Sequence, residues 1–185
     1  MEKIILIFGT NLVYFWKLIF DMQNSADSII QKIENHKSAG NYDAALTETL
    51  EGLKKYVDDY RFYEELADIY LYQENLEKAE EVIHYARELH PESGTGIYLQ
   101  GYIFLEKGDY EQALETLGQA NILFPNNAEI IRSIGWCNVM IGNMQKGIAL
   151  LRRAHGLAPD DESIHQYLTT ALLLYEEQNS TQLTK

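Results

Sequence analysis

From Tyr60 to Gln73 the side chains Tyr63, Leu66, Ala67 and Tyr70 fall at i, i+3, i+4 and i+7, one apolar stripe at helical period. Glu74 and Asn75 interrupt it. A second stripe follows, formed by Leu76, Ala79, Ile83 and Ala86, and His90 with Pro91 ends it. Proline lacks the amide donor and disfavours helix in the residue before it, so Pro91 is a stop signal. The pattern predicts two helices joined by a tight turn over residues 60–93. Such a pair leaves an apolar face uncovered and folds only against a neighbour.

The neighbours are written in the same frame. Pro91, Pro125 and Pro159 are 34 residues apart, and they are the only prolines in the chain. Ala45, Ala79, Ala113 and Gly147 keep the same step, as do Gly52, Ala86, Ala120 and Ala154. Gly40, Glu74, Gly108 and Gly142 mark a turn position, followed by Asn41, Asn75, Asp109 and Asn143. Several ladders in one register identify a repeat array. The small residues are expected where paired helices approach closely.

These residues resemble the tetratricopeptide repeat (TPR) family, whose 34-residue unit carries an aromatic at position 4, Leu-Gly at 7 and 8, Tyr at 11, Ala at 20 and 27, and Pro at 32. Unit 60–93 matches through Tyr63, Leu66, Ala67, Tyr70, Ala79, Ile83, Ala86 and Pro91. Unit 94–127 supplies Gly101, Phe104, Ala113, Leu117, Ala120 and Pro125, with Gln100 in place of Leu. Unit 128–161 supplies Ile134, Gly135, Leu151, Ala154 and Pro159, with Asn138 for the aromatic and Gly147 for the alanine. A first unit, 26–59, is degenerate: Tyr42 and Ala45 fit, whereas Lys32, Thr49 and Val57 do not. Residues 162–177 read as a capping helix with Ile164, Leu168, Ala171, Leu172 and Tyr175 on its apolar face, and 178–185 as a frayed tail. The resemblance implies an all-α, right-handed α-solenoid of stacked helix-turn-helix units with a C-terminal capping helix.

Residues 1–25 stand outside the repeat. The run IILIFGTNLVYFWKLIF at 4–20 would span about 25 Å as a helix, short of the roughly 30 Å hydrocarbon core. Three readings stay open: a helix packed on the array, a weak membrane anchor, or an extension preceding a start at Met22. Membrane contact is expected only through this segment, and a cytoplasmic location otherwise.

Charge narrows the partners. Fifteen lysines and arginines stand against 28 acids, a formal charge of −13, which lacks the basic footprint that nucleic acid demands. Residues 43–92 hold 14 acids and 5 bases, so most of the excess lies there. One cysteine, Cys137, permits neither an internal disulfide nor a thiolate metal cage. The five histidines form no i, i+4 pair with a glutamate between them, and neither a phosphate loop nor a nucleophile elbow is present. The expectation is a noncatalytic chain without cofactor or metal.

Binding remains. The resemblance implies that the first helices of successive units line a concave groove, and it carries Glu64, Asp68, Tyr72, Tyr98, Tyr102, Leu105, Arg132, Trp136 and Met140 into that groove. Some TPR domains clamp a C-terminal carboxylate with basic residues. Glu64 and Asp68 would repel one here, so the expected ligand is an apolar, basic protein segment anchored by the aromatics, Trp136 above all. The alternative is that the aromatics pack internally or under the capping helix. The resulting role is that of an adaptor, scaffold or chaperone. Alternatives are a membrane-tethered assembly factor, a chaperone like the TPR chaperones of type III secretion, and an array that self-associates through an exposed end.

Overall fold

The computed structural model describes residues 25–183 together with Lys17, and only the backbone of 181–183. The readings of segment 4–20 lie outside the described residues, Lys17 apart. The described chain is helical throughout: α1 (25–38), α2 (Tyr42–Lys55), α3 (Tyr60–Tyr72), α4 (Leu76–Leu89), α5 (Gly94–Glu106), α6 (Tyr110–Leu123), α7 (Ala128–Met140), α8 (Met144–Leu157) and α9 (Glu162–Leu183). No helix among the described residues is long and apolar enough to cross a membrane.

Local chemistry sets the helix ends. Asn41, Asp59, Asn75, Ser93 and Asn127 each accept a backbone N–H of the following first turn through the side chain. Asp161 does the same for Ile164 at the start of α9. Within each unit the first helix closes on a left-handed residue whose successor donates back five residues: Asn41 to His36, Asn75 to Tyr70, Asp109 to Phe104 and Asn143 to Asn138. Gly40, Gly108 and Gly142 take that conformation with φ of 71°, 80° and 87°. In the second described pair the position is Glu74, at φ 58°. A side chain there costs about 1 kcal/mol that glycine avoids. Glu74→Gly should therefore raise the melting temperature by about 3 °C in a chain of this size, measured by circular dichroism.

Between units, Asp59, Ser93, Asn127 and Asp161 each donate to the carbonyl three residues earlier. The first of these turns closes with Val57 where the others carry proline. Proline is thus compatible with the turn and not required by it.

The core is a row of satellites along the array. Ala79, Ile83, Ala86, Leu99 and Ile103 pack between α4 and α5, and Ala113, Leu117 and Cys137 between α6 and α7. The tightest approach is α7 against α8. A Cβ on Gly147 would lie 2.5 Å from Val139 Cγ2 and 2.7 Å from the Gly135 carbonyl oxygen. The layers differ in one respect. The first helices α3, α5, α7 and α9 touch one another in sequence, whereas among the described residues α2, α4, α6 and α8 do not. The first helices therefore form the inner, concave layer.

Helix α9 continues to Leu183, beyond the end at 177 that the apolar stripe suggests. Backbone-compatible polar residues extend it, with Ser180 Oγ donating to the Glu176 carbonyl.

Candidate binding groove

The inner layer encloses a groove of about 520 Å³ lined by Tyr42, Asp68, Leu71, Tyr72, Tyr98, Leu99, Tyr102, Glu129, Arg132 and Ser163. Helices α3, α5 and α7 contribute most of it, at successive turns facing the same side. Tyr72 is 61% exposed at one end, with its ring stacked on Tyr42. Tyr98 and Tyr102 share the face of α5, ring centroids 6.1 Å apart. Burial pushes both phenols well above the ordinary tyrosine value, so they stay neutral hydrogen-bonding rings.

The acidic end is organised around one lysine. Lys37 Nζ lies 2.7 Å from Glu65, 2.8 Å from Asp68 and 3.2 Å from Glu34. Burial works against the ammonium, but Asp68 and Glu65 outweigh it and hold Lys37 above its ordinary value. Burial pushes the Glu65 carboxyl up while Lys37 draws it back. Lys37 is the firmly charged member, since three carboxylates share its single ammonium. The cluster keeps a net negative charge beside Tyr72.

Of the nine residues expected in the groove, Asp68, Tyr72, Tyr98, Tyr102 and Arg132 line it. The other four do not. Leu105 is buried with Ala113, Leu117 and Cys137. Met140 is 43% exposed at the end of α7, away from the groove lining. Trp136 packs beneath α9, its ring edge-on to Tyr167 at 5.0 Å and against Val139, Leu151 and Ala171. A first-helix position that would face the groove is roofed by the capping helix, the internal arrangement that the sequence left open.

Glu64 is the fourth. It is only 6% exposed and sits under the start of α5, where a Cβ on Gly96 would approach its Oε1 to 2.8 Å. The glycine leaves room for a carboxylate at a helix N-terminus, where negative charge is favoured. Burial nevertheless raises the Glu64 carboxyl above its ordinary range, with Ser93 and the Gly96 amide pulling the other way. The native state therefore holds this proton more tightly than the unfolded chain, and its contribution to stability falls as pH rises through that interval. Glu64→Gln should melt above wild type at pH 8, because the amide removes the cost of burying the carboxylate. The gap should close as pH approaches the ordinary glutamate range in a melting series from pH 8 to 5.

Leu71, Leu99 and Glu129, at further groove positions of the same first helices, line it too, as do Tyr42 and Ser163. Ser163 occupies position 2 of the fifth first helix, so continuing the ladder into α9 would have found it. Tyr42 begins a second helix and carries no such signal.

Reactive chemistry is sparse in this region. Burial pushes the Cys137 thiol up to about 12, which leaves it protonated and inert. Among the described residues no three metal-ligating side chains converge on a cation site.

Two models of the tetratricopeptide repeat match, one over residues 32–94 and one over 104–172. The BBSome complex member BBS4 of Bos taurus is 29% identical over 136 residues, 74% of this chain and 26% of that protein, so the chain spans about a quarter of its length. Among solved structures, MamA (residue 41 to the end) from Desulfovibrio magneticus RS-1 superposes with a TM-score of 0.63 at 19% identity, covering 84% of this chain and 88% of that one. PilF of Pseudomonas aeruginosa reaches 0.68 at 16% identity, covering 84% and 71%. At these identities the structural likeness is one of fold.

Proposed function

The chain belongs to the tetratricopeptide repeat family of protein–protein interaction modules, and from that premise we propose that its inner groove grips an extended segment of another protein without catalysing a reaction. The ligand carries apolar or aromatic residues together with basic ones, and the chain serves as an adaptor, scaffold or chaperone. One observation supports this most directly: four tyrosines and two leucines share a groove of about 520 Å³ with Asp68 and Glu129. Tyrosine offers a large contact area with few rotatable bonds, and carboxylates attract Lys or Arg. The membership of BBS4 in the BBSome accords with a role inside an assembly.

Affinity capture on the immobilised full chain, with the double variant Tyr72→Ala/Tyr102→Ala as control, tests the reading. A captured protein should bind wild type and lose at least about tenfold in affinity on the variant, as aromatic anchors do. Its association should also slow at high salt, because a chain of charge −13 steers basic partners. Equal affinity for both proteins would place binding elsewhere on the molecule.

A further inference from the structure

Helices α3 and α4 enclose a second cavity, of about 570 Å³, that shares no lining residue with the inner groove. Tyr63 and Tyr70 of α3 and Tyr85 of α4 give it an aromatic wall, and Glu81 and Glu88 of α4 an acidic one. Tyr63 is fixed in place: its hydroxyl donates to the Val57 carbonyl at 2.9 Å, and its ring meets Tyr85 edge-on at 4.7 Å. Tyr85 is 41% exposed, and the sister units carry Glu51, Gln119 and Arg153 at its position. The repeat therefore has no packing use for an aromatic there.

The cavity already holds one cation on a ring. Lys78 Nζ lies 5.3 Å from the Tyr70 centroid, whereas no cation of the described residues covers Tyr85. Glu81 and Glu88 stand four residues before Tyr85 and three after it, hence beside its ring on one helix face. His84 faces Glu88 at 3.3 Å and competes for that carboxylate only when protonated. Glu81 forms no ion pair with any described residue. With four glutamates on α4 against Lys78 and Arg87, the field over the cavity is negative.

We propose that this cavity is a second docking site, which receives an arginine side chain of a partner protein. The guanidinium stacks on Tyr85 and sets its planar fork on Glu81, with Glu88 as the second carboxylate. Arginine suits the pair better than lysine, because a guanidinium is weakly hydrated, lies flat on a ring and meets a carboxylate two-pronged. The site lies outside the inner groove and stands independently of the function proposed for it.

The test is a titration of the isotope-labelled full chain with the capped tripeptide acetyl-Ala-Arg-Ala-amide, followed by amide and tyrosine-ring chemical shifts. Its lysine and citrulline counterparts, the first equal in charge and the second neutral, are the controls. The arginine peptide should give saturable shifts centred on residues 81–88 and the rings of Tyr63 and Tyr85. Lysine should bind several-fold more weakly, and citrulline should give no saturable shift. Glu81→Gln should weaken the arginine peptide about tenfold. Tyr85→Leu keeps an apolar contact for Tyr63 and should erase the preference for arginine over lysine. Both positions are exposed, and circular dichroism checks that each variant keeps its fold. Tyr72→Ala/Tyr102→Ala, the control for the inner groove, should leave this binding unchanged. Equal responses to arginine and lysine on wild type would overturn the proposal and reduce the face to diffuse surface charge. Shifts centred on Asp68 and Glu129, or none that saturate, would overturn it as well.

Discussion

Gly147→Ala should destabilise the chain by about 2 kcal/mol, although alanine is what the three sister units carry at that position. Two effects oppose each other. Alanine in place of a helical glycine is favourable by about 1 kcal/mol through backbone entropy and propensity. Overpacking costs up to about 3 kcal/mol where the neighbours cannot yield. Here they cannot: the new Cβ would meet the Gly135 carbonyl oxygen at 2.7 Å and the Val139 amide nitrogen at 2.8 Å. Both are backbone atoms of α7. Gly135 and Gly147 face each other, and the two helices have closed the distance that two missing Cβ atoms allow. The reverse change one unit earlier, Ala113→Gly, should cost about 1 kcal/mol by lost propensity alone. Urea denaturation of both variants measures the pair. A Gly147→Ala protein as stable as wild type would mean that α8 can back away from α7 at little cost.

Trp136→Ala should cost about 3 kcal/mol in stability, the lower end for removing a large core aromatic because the side chain is half-buried. The indole is one of the contacts between α7 and α9, edge-on to Tyr167 and packed on the cluster that holds Ala171. Loss of that contact should appear first in α9, as amide hydrogen exchange accelerated at Ile164, Leu168 and Leu172 while α3 and α4 keep their protection. Trp136→Phe retains an aromatic edge and should lose less than half as much. Were Trp136→Ala to leave stability untouched and abolish partner binding, the indole would be a groove anchor after all.

That second variant marks the boundary of what could be read from the residues. The helices, their turns and the all-α solenoid follow from period and punctuation, since both are local. Proline stops, Asx caps and glycine turns act within a few residues of themselves. Which face of a first helix stays open is a different question, decided by what comes to lie over it. Asp68, Tyr72, Tyr98 and Tyr102 line the groove although neighbouring helices touch α3 and α5 on either side. Trp136 occupies an equivalent face of α7, but α9, the next first helix, covers it. Glu64 was misplaced for a related reason. Its depth depends on Gly96, 32 residues later, whose missing side chain makes the space that the carboxylate fills. Leu105 belongs to the core because α6 and α7 converge on it. Lys37 escaped notice because its importance lies in the three carboxylates gathered around it, two of them on another helix.

The unequal contact between layers has a mechanical consequence. First helices bear on one another from unit to unit, and second helices meet only through them. Straightening the array therefore closes gaps on the outside at little expense, whereas curling it further compresses the inner helices at great expense. The molecule resembles a strip bonded along one surface: it uncurls readily and resists tighter curling. Asp68 and Arg132 stand two units apart on the bonded surface, so their separation changes little as the array straightens. A ligand spanning both is measured against a ruler, while ligands reaching only one of them are not.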